Sequence, residues 1–236
     1  MANIEEARYK VLMTEDGKTL IQASYAIRNN QRNFLKLKLP EGAVVWSAAL
    51  SGKPIRPGQT PDGSLLLPLE KGRSGEKAPA FAAELLYLVR GDKWTNNGAV
   101  KLNLPVVDLP VSRTGLQSFY PASYKFTAEQ GSFRIQDFQA PLSAALNGSS
   151  ATGSATQLPL VSNDVLDLVS NSSNTQALVD KHRAQTQEGK RAGILPIKIF
   201  FPALGPSTFL VSELTAENQA SIISFTYELG KKGGVR

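Results

Sequence analysis

Between Arg8 and Leu104 a turn signal recurs roughly every 8–12 residues, and the runs between turns alternate apolar with polar side chains. That rhythm leaves little room for anything but antiparallel β-structure. Glu15-Asp16-Gly17 separates the runs Arg8–Met13 and Thr19–Arg28, and Asp-Gly between β-prone segments is a hairpin signal. Ala23, Tyr25 and Ile27 alternate with Ser24, Ala26 and Arg28, the period of a half-buried strand. Asn29-Asn30 supplies a second turn, since Asn tolerates positive φ. In the next run, Phe34 to Leu39, leucine faces one side and lysine the other. The plain reading is three consecutive antiparallel strands. Val44–Leu50, Leu65–Leu69, Phe81–Val89 and Ala99–Leu104 continue the series, which makes about seven strands in roughly 105 residues, the density of a β-sandwich.

Pro105 to Pro110 reads as a boundary. A second β-unit is expected over 106–229, with strands at Leu116–Tyr120, Ser123–Thr127 and Ser132–Ile135. It is interrupted by an insertion over 140–192, rich in Ser, Gly and Asn, with Gly148–Ser154 at its centre. One helix is expected there, Thr175–Lys190, with Gly189 as its stop. Leu195–Phe201, Thr208–Leu214 and Ser221–Leu229 follow. They have few neighbours after them, so they must complete a sheet begun before the insertion. Residues 230–236 read as a disordered tail. The expected fold is all-β: antiparallel β-sandwich units, the first over 1–105, with a long insertion carrying one helix.

A single histidine and no cysteine in 236 residues narrow the chemistry. A structural zinc site or a multi-histidine catalytic site is excluded, as are disulfides. Calcium needs only oxygen ligands, but neither Glu15-Asp16 nor the run Asn163 to Asp167 has EF-hand spacing, and turn-forming Asp and Asn account for both. No phosphate loop or dinucleotide fingerprint occurs, so no metal and no cofactor are expected. Ile194–Leu210 is the longest apolar candidate. It is broken by Pro196, Pro202 and Pro206 and carries Lys198, so no membrane span is read in this chain. The N-terminus carries no secretory signal.

The formal charge of +6 is partly placed in the tail, on Lys231, Lys232 and Arg236. Lys36 and Lys38 share a strand face that Arg28 or Arg32 can join across the hairpin. A nucleic-acid surface interleaves exposed aromatics with such cations, whereas Tyr25 and Phe34 read as core. A solvated sheet face fits better, and no nucleic-acid partner is expected.

Three groups are candidates for chemistry or binding. His182 lies between Lys181 and Arg183. It can be read as the general base of a serine hydrolase, or more plainly as a solvated helix residue, since no nucleophile-elbow motif accompanies it. Ser74 and Lys77 match Ser-x-x-Lys, but in a polar loop without companion motifs. Together these define an esterase or lactonase alternative. Trp94, in a polar loop, is a candidate stacking platform for a glycan; Trp46, Phe119 and Tyr120 are weaker ones.

Several stretches resemble segments of uncharacterised bacterial proteins built from multiple β-domains and often expected to be exported. They are Val11–Gly17, Arg28–Pro40, Leu65–Glu70 and Gly193–Pro202. The resemblance implies a periplasmic or extracellular location and a chain that is the C-terminal portion of something larger. It brings no activity. The function expected is therefore a non-catalytic interaction or structural module, with a protein or cell-envelope component as partner.

Overall fold

In the computed structural model, which describes residues 2–71, 79–129, 131–150 and 201–230, the alternation of the sequence becomes a burial pattern. Ile21, Ala23, Tyr25 and Ile27 are fully buried, as are Leu35 and Leu37, while Lys38 is exposed. The first strands are Asn3–Met13 (β1), Lys18–Arg28 (β2), Phe34–Lys38 (β3), Val44–Leu50 (β4), Lys53–Pro54 (β5), Gly58–Gln59 (β6) and Leu65–Pro68 (β7). Phe81–Arg90 (β8), Asn97–Asn103 (β9), Val106–Val107 (β10), Val111–Phe119 (β11), Tyr124–Ala128 (β12) and Arg134–Gln136 (β13) come next. A short helix, Ala144–Ser150 (α1), precedes Ser207–Thr215 (β14) and Ile222–Leu229 (β15).

The all-β expectation holds. An eight-stranded sheet runs β13-β14-β11-β1-β2-β8-β4-β5, and two smaller sheets run β10-β3-β7-β6 and β12-β15-β9. One face of the large sheet and side chains of both small sheets form a single buried cluster. Tyr25, Leu85 and Tyr87 enter it from the large sheet, Leu35, Leu37 and Leu67 from the second, and Phe126, Phe225 and Tyr227 from the third. As the sequence required, β14 and β15 complete sheets begun earlier, pairing with β11 and with β12 and β9.

Two expectations about neighbours change. The hairpin β1–β2 forms as read, with Gly17 at φ 81° in its turn. However, β3 does not lie beside β2. The strand at β2's other edge is β8, and β3 crosses to the second sheet. Alternation fixes which face of a strand is buried, and Leu35 and Leu37 bury equally well from the opposing layer. The second change concerns the division at residue 105. Sheet pairing crosses it twice, since β1 lies parallel to β11 and β9 pairs with β15.

Among the described residues α1 is the one helix, and it buries Leu146 against Ala26 and Ala82 on the far face of the large sheet. Among those residues no helix is long and apolar enough to cross a membrane. The expected helix Thr175–Lys190, most of the strand Leu195–Phe201 and the tail beyond 230 lie outside them.

Leu214 has φ 54° and is 83% exposed, at a bulge where Arg113 pairs with Glu213 and Val111 with Thr215. A side chain in the left-handed region crowds its own carbonyl and here gains nothing from burial. Leu214→Gly should raise stability by about 0.5–1 kcal/mol. Chemical denaturation checks this, with the midpoint moving up at constant slope.

Candidate functional site

The large sheet has a second face, turned away from the main core, and its polar residues come from the start of β1 and from β11. Glu6 and Arg8 are two apart on one strand, so both point to this face. Glu6 is 2% exposed. Arg8 donates from Nε to Glu6 Oε1 at 2.7 Å, and its Nη2 lies 2.7 Å from the same oxygen. Glu6 Oε2 accepts from the backbone N–H groups of Leu142 and Ser143, each at 2.8 Å. Arg8 Nη1 and Nη2 donate to the carbonyls of Gln139 and Ala140 at 2.8 and 2.9 Å. Its guanidinium carbon sits 5.3 Å from the centre of the Phe209 ring, which Phe138 meets edge-on. One ion pair thus fastens the segment 138–143 across β1, β11 and β14.

Room for that pair comes from Gly115, opposite Arg8 in the parallel β1–β11 register. A Cβ there would lie 2.7 Å from Arg8 Nη1 and 2.9 Å from its Cζ. Arg8 is held by four acceptor contacts, so it cannot swing away cheaply. Gly115→Ala should cost about 1–3 kcal/mol, as overpacking does, and a smaller penalty is expected when Arg8 is also alanine. Thermal melts of the two single variants and the double variant measure it.

Beside the clamp lies a cleft of about 190 Å³ lined by Glu5, Glu6, Arg113, Leu142 and Ser143. Its charges are unevenly matched. Glu5 is held by Arg28 at 2.6 Å and Glu6 by Arg8, but Arg113 forms no ion pair among the described residues. Arg113 donates from Nη2 to the side-chain carbonyl of Gln139, and its Nε is buried without an acceptor. A buried donor left unpaired costs about 1–3 kcal/mol, more when it belongs to a charged group. The five ionised groups Glu5, Glu6, Arg8, Arg28 and Arg113 sum to one positive charge, and it resides on Arg113. On the same segment Ile135, Phe138 and Leu142 are 59%, 61% and 71% exposed.

The candidates read from the sequence fall elsewhere. His182, Ser74 and Lys77 lie outside the described residues, as does the run Asn163 to Asp167. Trp94 is a correction. Its loop position suggested an exposed indole, but it is 6% exposed, stacked on Tyr227 at 4.3 Å and on Phe126 at 5.9 Å, with Tyr124 edge-on. Its backbone N–H bonds the Glu15 carbonyl, which ties the polar loop down over the third sheet. Asp16 is engaged by Lys18 and Thr14, which hold its carboxyl below the usual range. Arg28, Arg32 and Lys36 each meet a carboxylate, those of Glu5, Asp108 and Asp62. Among the described residues no group of three or more His, Cys, Asp or Glu could hold a metal ion.

Sequence reasoning missed Glu6, Arg8 and Arg113. Opposite charges at i and i+2 on a strand share a face, so Glu6 and Arg8 carried a readable signal. Nothing in the sequence marks Arg113 as the one left over.

No protein-family model and no curated protein matches this chain. Among solved structures, the M1 zinc metallopeptidase of Deinococcus radiodurans overlaps 60% of this chain and 37% of its own, at 15% identity and TM-score 0.42. Leukotriene A4 hydrolase of Saccharomyces cerevisiae overlaps 55% and 25%, at 10% identity and TM-score 0.36. A putative protease of Parabacteroides distasonis overlaps 95% and 40%, at 6% identity and TM-score 0.37. This chain spans well under half the length of each. Overlaps this loose carry nothing about its chemistry.

Proposed function

We propose that this chain is a non-catalytic interaction module of a bacterial exported or envelope protein, working in the periplasm or outside the cell with a protein or envelope component as partner. The location rests on the resemblance of Val11–Gly17, Arg28–Pro40, Leu65–Glu70 and Gly193–Pro202 to exported multi-β-domain proteins. One observation carries the binding role. On the second face of the large sheet the ionised groups are bound to one another and hold a segment in place, while that segment turns Ile135, Phe138 and Leu142 outward. Apolar side chains grouped on one segment around an arginine are the composition of a protein-docking centre. A rigid sheet beneath supplies the preorganisation that binding loops need.

Hydrolysis of an activated ester tests the reading. The chain and its Ser74→Ala and His182→Ala variants should give the same background rate. A rate clearly above buffer that either substitution abolishes, with the circular dichroism spectrum unchanged, would make the protein a serine-dependent hydrolase and overturn the proposal.

A further inference from the structure

The geometry points to the cleft between Glu5, Glu6, Arg113, Leu142 and Ser143 as a binding site for a single carboxylate, presented by the partner as a chain end or an acidic side chain. This deepens the interaction-module reading and rests on it. Arg113 is the anchor. Its guanidinium carries the site's one uncompensated charge, and its Nε has no acceptor within the protein. A planar fork of N–H donors matches a carboxylate in two bonds, which a point charge does not.

The neighbouring carboxylates do not compete for Arg113, because each is already occupied. Glu6 takes Arg8 on one oxygen and two backbone N–H groups on the other. Glu5 is bound to Arg28 through Nε at 2.7 Å and Nη2 at 2.6 Å. Glu213, across from Arg113 in the β11–β14 register, makes no ion pair with it. Ser143 adds a hydroxyl at the cleft wall, and Leu142 offers an apolar side for the carbon next to the carboxylate. A volume of about 190 Å³ admits a carboxylate with a few further heavy atoms and no large cofactor. A net charge of +1 suits a monoanion, whereas a phosphate dianion would meet Glu5 and Glu6 with its second charge.

Two probes separate the sources. N-acetylglycine mimics a chain end, and N-acetylaspartic acid α-amide an acidic side chain; N-acetylglycinamide is the neutral control. Chemical-shift titrations at low salt should show one carboxylate binding saturably, with shifts at Arg113, Leu142 and Ser143. Affinity should fall at least about tenfold in Arg113→Gln and remain reduced in Arg113→Lys, which keeps the charge but loses the fork. Because Arg113 has no ion-pair partner to strand, both variants should stay folded by circular dichroism. If neither carboxylate binds, if the neutral amide binds equally, or if folded Arg113→Gln binds unchanged, the site is not a carboxylate site. Those outcomes leave the ester assay as it stands, so this inference can fail while the non-catalytic reading survives.

Discussion

Arg8→Ala should destabilise the protein by about 3–5 kcal/mol, because it leaves the Glu6 carboxylate buried without its cation. The loss exceeds that of an ordinary surface ion pair, which is worth about 0–1 kcal/mol. Glu6 has no water to fall back on, and the carbonyls of Gln139 and Ala140 lose their donors in the same step. Glu6→Gln added to Arg8→Ala should restore part of the stability, since it removes the stranded charge and keeps an acceptor for Leu142 or Ser143. Urea denaturation of the two single variants and the double variant gives the coupling. Simple additivity would mean that Glu6 and Arg8 do not act as a unit.

The second large effect is a collapse of stability in alkali. Tyr9, Tyr25 and Tyr87 line the core side of β1, β2 and β8, and burial pushes each hydroxyl's pKa well above its ordinary value near 10. The Tyr9 and Tyr25 hydroxyls share a hydrogen bond of 3.1 Å, their rings edge to face, and the Tyr87 hydroxyl is buried without a partner. Folding raises the pKa of all three, so it favours the neutral phenol. That contribution is complete below pH 10, where the unfolded chain is also neutral. Above pH 10 the unfolded chain loses protons that the folded one keeps. Stability then falls by about 1.4 kcal/mol per pH unit for each tyrosine, until the pH reaches the folded values. With three acting together, a domain of ordinary stability should unfold at about pH 12. Phenolate absorbance followed with circular dichroism checks this: three of the six tyrosines should ionise only as the sheet signal is lost. Phenolate from all six before any structural change would contradict it. Tyr87→Phe should move the transition to higher pH and add about 1 kcal/mol near neutrality, because it removes an unsatisfied buried hydroxyl.

The same core shows what a sequence can and cannot convey. Phe34 to Lys38 and Ser221 to Leu229 were legible as strands because alternation reports which face is buried, and burial is local information. Pairing is not local. Nothing in Phe34–Lys38 distinguishes a place beside β2 from a place in the opposing sheet, and nothing in Val111–Phe119 announces a parallel partner 100 or so residues earlier in the chain. Asn3 to Ala7 was not read as strand, since Glu5, Glu6 and Arg8 look like a solvated segment. Their charges are tolerated only because Arg28 and the Glu6–Arg8 pair neutralise them. Trp94 misled in the opposite sense: a polar loop surrounds it in sequence, but the indole leaves that loop for the aromatic stack on Tyr227. The cleft was illegible for a further reason. It is defined by the arginine that remains after every nearby carboxylate has found a partner, and partners become visible only in three dimensions.

That dependence on the clamp can be measured directly. Amide hydrogen exchange at Leu142 and Ser143, whose N–H groups bond Glu6, reports whether the segment over the second face is built or loose. Both amides should be protected at least about a hundredfold relative to an unstructured chain, the protection that roughly 2.8 kcal/mol of local opening free energy confers, and Arg8→Ala should abolish it. Exchange at the rate of a free loop in the unaltered protein would contradict the account, because the cleft beside Arg113 would then have no fixed wall.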